Sequence, residues 1–120
     1  MRKKILLVDD TVTVTSLEKA ILGGEYDYLE ARNGVAALER AMSEQPDLIL
    51  MDINMPVKNG IESLRLLKRE ARTTHIPVVM VSTRSERDAV DLCRSLGCSD
   101  FLTKPLDPEL LATTVKRLIG

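Results

Sequence analysis

A chain of 120 residues is one domain's worth of sequence, and folding would bury roughly two-thirds of its unfolded surface. Its composition, 44% hydrophobic and 29% charged, is that of an ordinary soluble globular domain. A formal net charge of -1, 2% aromatic residues and no Trp argue against nucleic-acid binding, a base-stacking platform and attraction to an anionic membrane.

The start, Met1 to Lys4, is basic, but only four apolar residues follow before Asp9. That is too short for a signal peptide or a membrane span, so the cytoplasm is the expected location. Ile5 to Val8 is a first strand. Val14, Leu17 and Ile21 then share one face of a helix that Gly23-Gly24 stops by supplying positive φ. Tyr26 to Glu30 is a second, weaker strand. Asn33 can cap a helix carrying Val35, Leu38 and Met42, with Pro46 just beyond it. Leu48 to Met51 is the third strand, followed by a helix bearing Ile61, Leu64 and Leu67 or Lys68. Ile76 to Val81 is the fourth, where Pro77 is tolerable only at the beginning. Ser85 can cap a helix with Ala89 and Leu92 facing inward, and Asp100 to Leu102 is a fifth strand. Asp107-Pro108 is a cap followed by a first-turn proline, opening a last helix with Leu111, Val115 and Leu118.

Continuous apolar runs without alternation suggest strands covered on both faces, as in a parallel sheet. Five βα units are too few for an eight-stranded barrel. The expected fold is therefore α/β, (βα)5 doubly wound: a flavodoxin-like three-layer sandwich over a five-stranded parallel sheet. Strand order 2-1-3-4-5 places its ligand-binding switch point between strands 1 and 3.

Both strands at that switch point finish in acid. Strand 1 ends in Asp9-Asp10 and strand 3 in Asp52, with Asn54 two residues on; strand 4 ends in Ser82-Thr83 and strand 5 in Thr103-Lys104-Pro105. The first turn has no glycine, which excludes a dinucleotide fingerprint. Two carboxylates about 5 Å apart repel by roughly 3 kcal/mol at an effective dielectric near 20, so three need a proton or a cation. Asp9, Asp10, Asp52 and a backbone carbonyl near Asn54 form an all-oxygen set suited to Mg²⁺ or Mn²⁺. With Lys104 and a hydroxyl from Ser82 or Thr83, the set matches what a transferring phosphoryl group requires, one carboxylate acting as nucleophile. Cys93 and Cys98 have no second pair and no nearby His, and read as small half-buried residues in a reducing compartment. His75 reads as a solvent-facing loop residue, and Arg65, Lys68, Arg69 and Arg72 as a solvated helix face.

Over its whole length the chain resembles the receiver domain of bacterial two-component response regulators. The matching residues are Leu7-Val8-Asp9-Asp10, Asp47 through Pro56, Asn59-Gly60, Ser82 and Lys104-Pro105. The resemblance implies that Asp52 is the phosphoacceptor, with Asp9 and Asp10 as the Mg²⁺ acids and Asn54 giving its backbone carbonyl. Lys104 would pair with phosphoryl oxygens, Ser82 would be the switch hydroxyl, and Phe101 the aromatic switch, against a plain reading as a core ring. Asn54 and Arg84 sit where the family tunes acyl-phosphate lifetime. The donor would be a sensor histidine kinase or a histidine phosphotransfer protein. The output surface would be helix 4, strand 5 and helix 5, acting on an unidentified partner or effector domain. Such a domain is a switch rather than an enzyme, catalysing only its own aspartyl phosphorylation and dephosphorylation.

Departures from the pattern are Thr11 and Thr15, which stand where many receivers carry serine or an aromatic, and arginine; both read as neutral variation. Leu110 to Thr114 lacks the arginine of receivers that dimerise through a charged helix 4 to helix 5 face. Lys116 to Gly120 fits either the end of a single-domain regulator or the approach to a linker. Two other functions compete: a pseudo-receiver binding module, and a small phosphatase of the haloacid dehalogenase type. The second needs an acid where Asn54 stands, and Asn has no proton to give near neutral pH.

Overall fold

The computed structural model describes residues 2–55, 59–83 and 87–120. Its elements run β1 (Lys4–Val8), α1 (Val12–Leu22), a 3₁₀ turn (Gly23–Glu25), β2 (Asp27–Ala31), α2 (Gly34–Glu44) and β3 (Leu48–Asp52). They continue with α3 (Gly60–Arg69), β4 (Val78–Ser82), α4 (Arg87–Ser95), β5 (Asp100–Thr103) and α5 (Pro108–Ile119). The strands form one parallel sheet in the order β2-β1-β3-β4-β5, as the sequence predicts. Pro77 stands just before β4, where its carbonyl still accepts from Ile49 N at 3.0 Å although it has no N–H to give.

Side chains alternate across the sheet, and each face has its own core. Ile5, Leu7, Leu48, Leu50, Val79 and Leu102 pack with Leu22 of α1 and Leu111 and Val115 of α5. On the opposite face, Leu6, Val8, Ile49, Met51, Val78 and Met80 pack with α2, α3 and Cys93 of α4. β3 and β4 are buried along their whole length, which explains their unbroken apolar runs.

Three helices bury most deeply a stripe displaced by one residue from the expected one, about 100° of rotation, although Ile21 and Leu38 of the expected stripes still pack against the core. α1 buries Thr15, Glu18 and Leu22 and leaves Leu17 49% exposed. α2 buries Gly34, Ala37 and Ala41 rather than Val35 and Met42, and α4 buries Cys93 while Leu92 faces outward. In α2 and α4 smaller side chains face the sheet. α3 and α5 bury Leu64, Leu67, Leu111 and Val115 as expected.

The helix ends follow local chemistry. Gly23 takes φ +82° at the end of α1, and Asn33 accepts from Ala36 N at 2.9 Å. The Asp107 carboxylate accepts from Glu109 N and Leu110 N at 3.0 and 3.2 Å. Ser85 lies outside the described residues. His75 is exposed, but Lys68 is not simply solvated: its ammonium donates to the carbonyls of Thr74 and Ile76 at 3.0 and 2.7 Å.

Asn59 and Gly60 fix how α3 meets the end of β3. Asn59 Oδ1 accepts from Glu62 N at 2.9 Å, and Gly60 N donates to Ile53 O at 3.0 Å. A methyl at Gly60 would lie 2.8 Å from Ile53 Cα and 2.9 Å from the Asp52 carbonyl carbon, and would overlap the Asp52 carbonyl oxygen. All three are backbone atoms, so relief requires moving the strand end itself. We therefore expect Gly60→Ala to lower the urea-unfolding free energy by about 2 kcal/mol, in the range of overpacking substitutions. Unchanged stability would contradict this close approach.

A carboxylate cluster at the sheet edge as candidate functional site

Strand alternation assembles the site. Positions 5, 7 and 9, positions 48, 50 and 52, and positions 102 and 104 fall on the α1–α5 side of three strands. Asp9, Asp52 and Lys104 are thereby brought to one place at the carboxyl edge. Carboxylate oxygens of Asp9, Asp10 and Asp52 all lie within 4.8 Å of one another. Asp9 and Asp52 are buried, while Asp10 is exposed. Among the described residues no other such group of potential metal-ligating side chains occurs.

Lys104 reaches between the two buried acids, its ammonium 3.3 Å from Asp9 Oδ2 and 3.3 Å from Asp52 Oδ1. Asp9 Oδ1 accepts from Thr11 N and Thr11 Oγ1, each at 3.0 Å. Burial, reinforced by the charge of Asp9, holds the Asp52 carboxyl above its ordinary range, although Lys104 and the Asn54 amide pull the other way. Burial draws the Lys104 ammonium down, but Asp52 and Asp9 together outweigh it and leave the group raised. The cluster thus carries too little positive charge for the carboxylates it gathers.

The remaining expected residues divide. Asn54 N donates to Asp52 Oδ1 at 3.3 Å, and Asn54 Nδ2 donates to Thr83 Oγ1 at 3.2 Å. Ser82 is fully buried at the end of β4, its carbonyl accepting from Lys104 N at 2.8 Å. Phe101 is half-buried against the α2–α3–α4 core and pairs in register with Met80. Ser82, two residues after Met80, therefore shares the sheet face of Phe101. Arg84 lies outside the described residues.

Thr15, read as neutral variation, sits inside a hydrogen-bonded network. It is buried, donates to Glu30 Oε1 at 3.0 Å, and accepts from Arg32 Nη1 at 3.3 Å. Where the resemblance implies an arginine on the first helix, a guanidinium arrives instead from the loop after β2. Neither Glu30 nor Arg32 was expected here from sequence. The available signal was the position of Arg32 just past the end of a strand adjacent to β1.

The chain matches the family model described as response regulator receiver domain over residues 5–116. It is similar to Protein PilH of Pseudomonas aeruginosa, with 37% identity over 118 residues covering 98% of each chain. Among solved structures it resembles the Vibrio cholerae chemotaxis protein CheY4, with 28% identity, a TM-score of 0.91, and coverage of 98% of this chain and 99% of that one. It also resembles the Mn²⁺-bound form of response regulator Rcp1, with 28% identity, a TM-score of 0.83, and coverage of 98% and 95%.

Glu18 was likewise missed. It is 3% exposed on the inner face of α1, and its Oε1 has no hydrogen-bond partner among the described residues. Burial first, then the charges of Asp9, Asp52 and Glu30, push its pKa up to about 8 against the opposing pull of Lys104. Between the unfolded value of 4.5 and about 8, the folded chain holds a proton that the unfolded chain lacks. Stability from this group is therefore complete below the lower value and is lost as pH rises, by about 1.4 kcal/mol per pH unit. In chelator, the unfolding free energy of the native protein should fall more steeply between about pH 5 and 8 than that of Glu18→Gln. Parallel slopes in urea titrations would contradict a buried neutral carboxyl.

Proposed function

The chain belongs to the response regulator receiver domain family, and from that premise we propose that residues 1–120 form a phosphorylation-dependent signalling switch with Asp52 as acceptor. The observation that carries the reading is the convergence of Asp9, Asp10 and Asp52 within 4.8 Å, with the Lys104 ammonium 3.3 Å from two of them. A cluster with that charge imbalance favours a hard cation and then an anion. Its donors are all oxygen, which fits Mg²⁺ or Mn²⁺ held by Asp9, Asp10, Asp52 and the Asn54 backbone carbonyl. When bound, the cation supplies charge neutralisation for the carboxylates and the incoming phosphoryl oxygens.

The donor is a phosphohistidine on a sensor histidine kinase or a phosphotransfer protein. An Asp52 carboxylate oxygen forms the new O–P bond as the N–P bond breaks, and the electron pair stays on the imidazole nitrogen. Asp52 must enter as the anion, so its raised pKa is a barrier that positive charge in the site lowers. Lys104 shifts its contact with Asp52 to the phosphoryl oxygens, which carry the negative charge once Asp52 is phosphorylated, while Asp9 keeps its own. Ser82 supplies a hydroxyl to another phosphoryl oxygen, and Phe101 turns inward behind it. Because these two side chains share one sheet face, that motion is read on the α4–β5–α5 surface. Asn54 cannot protonate a leaving group, which argues against turnover of outside phosphate esters. Arg84 and Asn54 set how long the acyl phosphate lasts.

No described helix is long and apolar enough to cross a membrane. On the receiver reading, the domain works in the cytoplasm and on protein partners rather than on nucleic acid or membrane.

Incubation with Mg²⁺ and acetyl phosphate, followed by intact-mass measurement, tests the proposal. We expect the mass of one phosphoryl group on the native chain and none on Asp52→Asn. Lys104→Ala should slow its appearance by about 10²-fold, the size of losing one charge-stabilising donor. No mass gain, or an equal gain in Asp52→Asn, would overturn the reading.

A further inference from the structure

The turn between β1 and α1 supplies two of the three carboxylates, yet little within the turn fixes Asp10. Thr11, the N-cap of α1, gives no side-chain cap bond to the helix. Asp9 spends Oδ1 on Thr11 and Oδ2 on Lys104. The exposed Asp10 carboxylate makes no hydrogen bond to any described residue.

Arg32 supplies the missing restraint. Its Nη1 lies 3.2 Å from the Asp9 carbonyl oxygen and 3.4 Å from the Thr11 carbonyl oxygen, the two carbonyls on either side of Asp10. A third contact, to Thr15 Oγ1 at 3.3 Å, fixes the same nitrogen against α1. The other arm, Nη2, is paired with Glu30 Oε1. Glu30 is in turn held by Thr15 Oγ1 at 3.0 Å and by the Lys19 ammonium. The guanidinium is therefore oriented before it meets the turn, and its planar fork spans two partners that a point charge could not.

We propose that Arg32 is a positioning residue for the cation site, holding the backbone on both sides of Asp10 so that its carboxylate faces Asp9 and Asp52. This rests on the receiver reading of that site. Arg32 itself touches no carboxylate of the cluster among the described contacts, and acts through the turn. Groups of this kind, one layer behind metal ligands, typically change metal affinity 10- to 100-fold when removed.

The sign of the effect separates positioning from a simple field effect. A guanidinium near an acidic site repels a divalent cation, so removing its charge alone would tighten binding. Loss of positioning weakens it.

The test is Mn²⁺ affinity of the otherwise metal-free full chain, read by electron paramagnetic resonance of the free ion, with Mg²⁺ competition. Native protein must bind Mn²⁺ and be phosphorylated by acetyl phosphate; failure of either defeats the receiver reading, not this inference. Given both, Arg32→Ala should bind Mn²⁺ about 10-fold more weakly, with Arg32→Lys in between. Raising the cation concentration should recover lost phosphorylation rate in this variant, because the reacting groups are untouched and the defect lies in cation affinity. In the metal-free protein, amide exchange at Asp10 and Thr11 should quicken while the strands stay protected. Equal or tighter Mn²⁺ binding by Arg32→Ala overturns the proposal. Should that variant fail to fold, Arg32→Gln, which removes the same charge but fills more of the space, decides the matter by the same sign: weaker binding supports positioning, and equal or tighter binding overturns it.

Discussion

Asp9, Asp10 and Asp52 carry like charge within 4.8 Å, and two of them are buried. At an effective dielectric near 20 the three repulsions amount to about 3.5 kcal/mol each, while two contacts from Lys104 at 3.3 Å return about 5 kcal/mol each. Attraction and repulsion nearly cancel, and the loss of hydration is left uncompensated. A raised Asp52 pKa is one response of the protein to that remainder, and the proposed affinity for a cation would be another. The surrounding architecture keeps the acids from moving apart: a parallel sheet fixes their strand ends, and Gly60 lets α3 abut the carbonyl of Asp52.

That constraint also accounts for which parts of the molecule were legible in the sequence. Unbroken apolar runs specify buried parallel strands, and acids at the ends of the first and third specify the switch point. Both statements depend on chain order and side-chain chemistry, which a sequence displays directly. Helix rotation is less accessible. Val14, Leu17 and Ile21 have the same spacing as Thr15, Glu18 and Leu22, and apolarity favours the first set. The structure buries the second more deeply, with Leu22 in the core and Ile21 of the first set only partly buried against it.

Glu18 and Arg32 escaped for related reasons. A buried carboxyl on a helix cannot be told from a surface one until the helix is rotated into place. Its burial adds a further acid to the neighbourhood of the cluster, carried as a neutral group near pH 7. Arg32 meets Asp9 and Thr11 across 23 and 21 positions of chain, through carbonyl oxygens that every residue possesses. No residue-type pattern encodes a contact to backbone. The chemistry-bearing side chains were therefore readable, while the groups that hold or tune them emerged only from geometry.

The account rests on Asp52 being a carboxyl whose charge is resisted by its surroundings until positive charge arrives. Carbon-13 NMR of its side-chain carboxyl, followed through a pH titration with chelator and again with saturating Mg²⁺, reads this directly. Without the cation, Asp52 should titrate above the ordinary value of 3.8; with Mg²⁺, the midpoint should fall below its metal-free position. An ordinary midpoint that Mg²⁺ leaves unmoved would contradict the account.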